Sequence, residues 1–218
     1  SLGKMEGVRI VTAEAAPIAL AGTSRYSDEY RECPSSTTEP QAFIDWLKHL
    51  LNDREIALVL PTTEITSQLL LLQKDQFPQL CLPFADYDTV MSLADKYTLL
   101  EHARAAGLDI PRTQRVDHAG DLDISTLSYP CVIKPCQSRI FNGETWINTS
   151  VKVVHTSTEA EAYIGRTAYL HQYPFLIQEF IPGSGAGIFC LYHQGEAQAF
   201  FAHERLREKP PQGGVSTL

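Results

Sequence analysis

Two lysines stand where a lysine is costly. Lys134 closes the apolar run Tyr129-Pro130-Cys131-Val132-Ile133-Lys134-Pro135, so its ammonium ends a buried strand and must find an anion or bear desolvation. Lys96 follows Asp95 at the start of a helical segment, where a cation opposes the macrodipole. A compact ammonium held in a shielded place suits phosphate oxygens. A third cluster lies near the end of the chain: His203, Glu204, Arg205 and Arg207, followed by Gly213-Gly214-Val215-Ser216. Guanidinium groups recognise carboxylates and phosphates through paired hydrogen bonds, and a Gly-Gly-x-Ser segment offers backbone N–H groups to an anion. On a strand continuing from Ala202, His203, Arg205 and Arg207 would share one face, with Glu204 pointing away.

The elements that must position these groups follow from patterning. Phe175 to Gly183 is a second apolar run, with Gln178 and Glu179 near its end. Between the two runs lie a polar loop, the short strand Val151 to His155 and a helical segment from Thr158 to Gln172. The order is strand, loop, strand, helix, strand. Earlier in the chain, Val8 to Thr12, Ile56 to Leu60 and Leu80 to Pro83 read as strands, and Ala13 to Glu32 as an ordered loop. Pro40 opens an amphipathic helix through Asn52, with Phe43, Ile44, Leu47, Leu50 and Leu51 at helical spacing. A further helix follows Pro61-Thr62-Thr63-Glu64. Alternating strands and helices imply a parallel sheet with its crevice at the strand C-terminal ends, where Glu64 is a candidate polar contact. Asp86 and Asp95 read as helix N-caps, and Gly107 as the left-handed residue ending the second of these helices. Ile188 to His193 and Ala197 to Ala202 flank Gln194-Gly195-Glu196, the pattern of an antiparallel hairpin. Gly183-Ser184-Gly185-Ala186-Gly187 precedes a strand rather than a helix, which argues against a dinucleotide fingerprint.

The net charge of −8 argues against a general nucleic-acid binder or a polybasic membrane-surface protein. Apolar runs such as Leu69 to Leu72 are too short to span a bilayer, and Ser1 to Gly7 lacks the apolar core of a signal peptide. The five cysteines are scattered and form no Cys-x-x-Cys pair, which fits a reducing cytoplasm and no resident metal on the residues present.

The segments "YPCVIKP", "LIQEFIPG", Asp95-Lys96 and "FAHERLREKPPQGGVS", in this order, resemble the ATP-grasp superfamily over Ala85 to Ser216. The last segment is similar to a carbamoyl-phosphate-synthase-like or carboligase-like group within it. The resemblance implies an α/β chain: a partial Rossmann-like pre-ATP-grasp domain at 1–92 and an incomplete ATP-grasp domain at 93–218. The latter would hold a nucleotide-covering subdomain at about 126–184 and the start of a second at 185–218. It further implies ATP as the bound nucleotide, with Lys96 and Lys134 reaching its phosphates from opposite sides. Gln178, Glu179, Phe180 and Ile181 would form the adenine hinge. There the backbone of Glu179 and Ile181 would read the ring, and Phe180 would pack into the core. Ser138 to Glu144 lies where relatives have a phosphate-covering loop, and is read either as a lid or as a plain hairpin turn. Arg205 and Arg207 are implied as catalytic groups, with His203, Gly213, Gly214 and Ser216 binding substrate. The resemblance implies a ligase joining a small-molecule carboxylate to an amine-type acceptor through an acyl-phosphate. The alternative is a nucleotide-binding module without turnover. Neither nucleic acid nor membrane is expected as a partner, and a homodimer is left open. Relatives hold magnesium with acids on later strands, ending in Glu-x-Asn. No such pattern occurs here, so the sequence is expected to stop before its metal site.

Overall fold

The computed structural model describes residues 6–209 and 215–216, the residues at 208–209 and 215–216 by backbone alone. It divides into two compact units, Ser1–Glu179 and Phe180–Leu218.

The first unit opens with β1 (Val11–Glu14) and β2 (Glu29–Glu32), a parallel pair with Val11 opposite Glu29. The β2 strand falls inside the stretch expected as a loop. Its sequence, Glu-Tyr-Arg-Glu, carries no strand signal, and pairing and charge hold it instead. Arg54 binds Glu29 through two bonds of 2.6 and 2.9 Å, and Arg9 adds a third at 3.0 Å. Helix α1 (Pro40–Asp53) begins at its proline, and α2 (Glu64–Leu72) is capped by Thr63. Phe43, Ile44, Leu47 and Leu51 of α1 pack with Ile65, Leu69, Leu70 and Leu71 of α2 and with Phe77 and Leu80. Ile56–Leu60 and Leu80–Pro83, expected as strands, form no ladder. One backbone bond joins them, from Val59 N to Cys81 O at 3.1 Å. Leu58 and Leu60 stay exposed, so this segment has no second apolar face to bury in a sheet.

Helices α3 (Tyr87–Ala94) and α4 (Lys96–Ala105) are capped by Asp86 and Asp95, each accepting from the N–H three residues on. Gly107 then adopts φ +79, the left-handed conformation that a Cβ disfavours. The chain continues through β3 (Thr113–Val116), β4 (Cys131–Pro135), the short β5 (Arg139–Phe141) and β6 (Trp146–Asn148), β7 (Lys152–Val154), α5 (Ser157–Arg166) and β8 (Phe175–Glu179). Four of these strands form an antiparallel sheet in the order β3-β8-β4-β7. Side chains alternate across it. Cys131, Ile133, Phe175, Ile177 and Val154 face α5 and pack on Ala160, Tyr163 and Ile164. The opposite face therefore carries Val132, Lys134, Leu176, Gln178, Thr113 and Arg115.

Strands β5 and β6 form a hairpin across the segment read either as a lid or as a turn. It is anchored to the N-terminal layer. The Trp146 indole N–H donates to Ser36 O at 3.1 Å, and its ring lies 4.9 Å from that of Phe141. Trp146 belongs to the same buried cluster as Phe43 and Leu69.

In the second unit, β9 (Ala186–His193) and β10 (Glu196–Glu204) form the expected hairpin. Gln194 and Gly195 both have positive φ at its turn. Both faces carry exposed apolar side chains, including Ile188, Phe189, Leu191, Phe200 and Phe201. Short strands β11 (Glu208–Lys209) and β12 (Val215–Ser216) pair antiparallel.

The Trp146 anchor is testable. Trp146→Ala should lower the unfolding free energy by about 3–5 kcal/mol, read from urea denaturation. A loss under about 1 kcal/mol would mean that the hairpin is not held by this side chain.

Candidate functional site

The face of the four-stranded sheet turned away from α5 carries the chemistry of the first unit. Lys134 lies on β4 opposite Leu176, and Gln178 lies two residues further along β8. The half-buried Lys134 ammonium donates to Gln178 Oε1 at 2.6 Å. Lys96 reaches the same neighbourhood from the first turn of α4. Its backbone N–H donates to Cys136 O at 2.8 Å, pinning the helix start to the end of β4. Its ammonium donates to Ser138 Oγ at 2.9 Å and, at 3.4 Å, to Cys136 O.

Among the described residues, neither lysine forms an ion pair; every acceptor they touch is neutral. Burial lowers the pKa of Lys134, and the nearby charge of Lys96 lowers it further. Burial likewise lowers the pKa of Lys96, against the opposing influence of Glu64, Cys136 and Asp95. The Cys136 thiol is pushed up to about 11, chiefly by burial and then by Asp95, so it stays neutral here. Desolvation at both lysines, the helix N-terminus at Lys96 and the Lys96 charge at Lys134 thus disfavour the two ammonium groups. An anion between the two ammonium groups relieves all three.

The hinge departs from expectation. Strand β8 stops at Glu179, so Ile181 lies beyond it. Phe180, expected in the core, is 40% exposed. Pro130, which precedes β4, has no N–H with which to extend the ladder past the Cys131–Glu179 pair, and Pro182 follows closely. Glu179 N donates to Arg112 O at 2.9 Å, and its carboxylate accepts from Arg112 Nε at 2.8 Å. The Arg112 bond holds that carboxyl below its usual range. Gln178 is buried, and its Nε2 donates to Thr113 Oγ1 at 2.8 Å.

In the second unit, His203 sits opposite Gly187 and stacks on Phe189 with ring centroids 4.8 Å apart. A Cβ at Gly187 would stand 2.6 Å from His203 Cε1, so the flat imidazole requires glycine there. His203 Nδ1 is buried without a hydrogen-bond partner among the described residues. Arg205 N donates to Gly185 O at 2.7 Å, which carries the pairing one residue past β10. The chain bends at Leu206, so the alternation expected to put Arg207 on the face of His203 and Arg205 is interrupted. Gly213 and Gly214 lie outside the described residues, as does the side chain of Ser216, whose backbone belongs to β12. Open hollows border Ala186–Ile188 with Ala202–Glu204, and Glu32–Ser35 with Glu39; neither is lined by the lysines. Ser138 and Thr113, which the sequence did not single out as ligands or supports, are the partners of Lys96 and Gln178. Only the three-dimensional register identifies them.

Comparison of the whole fold finds an L-amino acid ligase from Bacillus licheniformis, with a TM-score of 0.64 at 18% identity over 91% of this chain. An N5-carboxyaminoimidazole ribonucleotide synthetase in its ADP complex gives 0.60 at 16% identity over 91%. A D-alanine–D-alanine ligase from Bacillus anthracis complexed with ATP gives 0.56 at 13% over 88%. The chain has the ATP-grasp fold. It spans 43%, 48% and 64% of those three ATP-grasp chains, in the same order. No protein-family model and no curated protein matches the sequence. Among the described residues, no helix is long and apolar enough to cross a membrane. Nor does any group of three or more His, Cys, Asp or Glu side chains stand where it could hold a metal ion.

The cation pair sets a measurable trade-off. A lysine whose folded pKa is lowered holds its proton more tightly in the unfolded chain, so stability rises with pH from the lowered value to about 10.4. Lys134→Met should raise the melting temperature at neutral pH and flatten that alkaline rise. Comparison with the parent protein separates this from Cys136, whose raised thiol makes stability fall as pH climbs past its unfolded pKa. A lower melting temperature for Lys134→Met, with the alkaline rise intact, would show that the ammonium is not disfavoured in the fold.

Proposed function

We propose that this chain binds ATP, with Lys96 and Lys134 on its phosphates, as part of an ATP-dependent ligase. That ligase would join a small-molecule carboxylate to an amine-type acceptor through an acyl-phosphate. The observation that carries the proposal is the convergence of two half-buried ammonium groups on neutral acceptors alone. A polyphosphate offers the missing charge to both at once. The similar folds support the reading: two are amino-acid ligases, and two are complexes with ADP or ATP.

In this proposal the adenine ring lies against the end of β8, with the backbone of Glu179 and Ile181 as its hydrogen-bonding edge. Phe180 is exposed enough to contribute apolar surface to that slot. Gln178 is engaged in the sheet by Lys134 and Thr113. The domains in this reading fall at 1–92 and 93–218. His203, Arg205 and Arg207, with Gly213, Gly214 and Ser216, take the acid substrate. ATP supplies the phosphoryl group that activates the carboxylate. The chain's own residues hold the phosphate charge and orient the acid, so its contribution is charge stabilisation rather than a covalent side-chain step. Magnesium would need a cluster of oxygen ligands, which the described residues do not assemble.

The test is calorimetric titration with ATP. Removing a charge-assisted contact of about 1.5–3 kcal/mol should weaken binding roughly 10- to 150-fold in Lys134→Ala, with the far-UV spectrum unchanged. Lys96→Ala should behave alike. The double variant should lose less than the sum, because each single variant relieves the repulsion felt by the other lysine. Unchanged ATP affinity in folded Lys134→Ala and Lys96→Ala would overturn the phosphate role.

A further inference from the structure

We propose that Thr113 and Gln178 form a positioning relay that aims the Lys134 ammonium, and that Gln178 serves this relay instead of reading the nucleotide base. The proposal rests on the phosphate role of Lys134 given above.

Register puts the three side chains in line on one face of the sheet. Thr113 is directly opposite Gln178 across β3 and β8, and Lys134 lies diagonally from Gln178 across β8 and β4. The bonds run in one direction. Lys134 Nζ donates to Gln178 Oε1 at 2.6 Å, Gln178 Nε2 donates to Thr113 Oγ1 at 2.8 Å, and Thr113 Oγ1 donates to Pro111 O at 2.8 Å. The threonine hydroxyl has one proton, and Pro111 O takes it. Its lone pairs can then only accept, so the NH2 end of the amide must face Thr113. The oxygen end must face the ammonium. The flipped amide would set NH2 against NH3⁺, two donors with nothing between them.

The chemistry explains why a neutral amide sits here. Gln178 is 8% exposed, and both ends of its amide are satisfied inside the sheet. An amide oxygen fixes the direction of the ammonium without cancelling its charge; a carboxylate at the same place would pair with it. An ammonium has three N–H donors, and among the described residues one of them is used, by Gln178. The other two, and the whole positive charge, remain for an anion. The charged groups around Lys134 are Lys96 on α4, with Asp95 and Glu64 acting in turn on Lys96, and Arg115 of β3, which lies across Leu176 on the same face and bonds Asp117. None is part of the relay, so an effect of Thr113 on Lys134 has to pass through Gln178.

The experiment compares Thr113→Val, which keeps shape and removes the hydroxyl, with Thr113→Ser, which keeps the hydroxyl. Affinities for ATP and for adenosine are measured in each, and the Lys134 ammonium is titrated by NMR of its labelled side chain. Thr113→Val should weaken ATP binding by about 2- to 10-fold, leave adenosine binding unchanged and lower the Lys134 titration midpoint. Thr113→Ser should restore all three values. Gln178→Glu should move the midpoint upward. Equal losses for ATP and adenosine would overturn the proposal, since they would make Gln178 a base-reading or general structural residue. An unmoved Lys134 midpoint in Thr113→Val would overturn it as well. If the parent protein does not bind ATP, the phosphate role fails while the titration still decides the relay. If Thr113→Val does not fold, Gln178→Met takes its place with the same expected signs.

Discussion

Everything at the candidate site depends on two like charges being held close together with only neutral acceptors in contact with them. A buried ammonium is tolerated when it is paired or hydrogen-bonded, and a second one nearby makes each harder to keep protonated. The fold supplies neutral acceptors: the Cys136 carbonyl and Ser138 hydroxyl for Lys96, and the Gln178 amide for Lys134. It imposes the geometry through backbone bonds that have no other evident task. The Lys96 N–H bond to Cys136 O ties the α4 terminus to β4, and Asp95 caps that helix so that its first turn can stay fixed. The N-terminal layer joins in at one remove. Ser36 accepts from Trp146 of the β5–β6 hairpin and shares a hydroxyl contact with Thr66 of α2. Helix α2 in turn begins at Glu64, whose charge is felt at Lys96.

This arrangement is a stability cost, which the proposed binding of an anion would explain. Replacing either lysine by an apolar side chain of similar length removes desolvation and repulsion together, so the fold alone gives no reason for both to be there. The second unit shows the same kind of local sacrifice on a smaller scale. Gly187 gives up a side chain so that His203 can lie flat against Phe189, and His203 keeps a nitrogen buried without a partner among the described residues.

Much of this was legible in the sequence, for identifiable reasons. Strands β4 and β8, the caps at Asp86 and Asp95, Gly107 and the hairpin turn at Gln194-Gly195 all carry local signals. These are apolar runs, side-chain oxygens ahead of a helix, and residues that tolerate positive φ. Strand β2 was not legible, because arginines gathered on Glu29 from distant positions hold it. The strand expected at Ile56–Leu60 has the composition of a strand but lacks a second layer to cover it. Lys134 and Lys96 could be picked out because each sits where a lysine is expensive. Their partners could not: Ser138 and Thr113 are ordinary residues that matter only through register and long-range approach. Phe180 misled for the same reason, since an aromatic in an apolar run says nothing of where the strand ends.

The central claim is that Lys96 and Lys134 form a cation pair that no contacting anion neutralises. Proton linkage on binding tests it most directly. At alkaline pH a pair whose pKa values are lowered from the ordinary lysine value of about 10.4 holds its protons less fully than exposed lysines do, and a polyphosphate that restores the charge must draw protons from the buffer. Calorimetric titration of ATP in two buffers of different ionisation enthalpy measures that uptake. The account predicts net proton uptake on binding in the parent protein, and its loss in the variant carrying Lys96→Met and Lys134→Met. ATP binding with no proton uptake at this pH, or with the same uptake in the double variant, would contradict it.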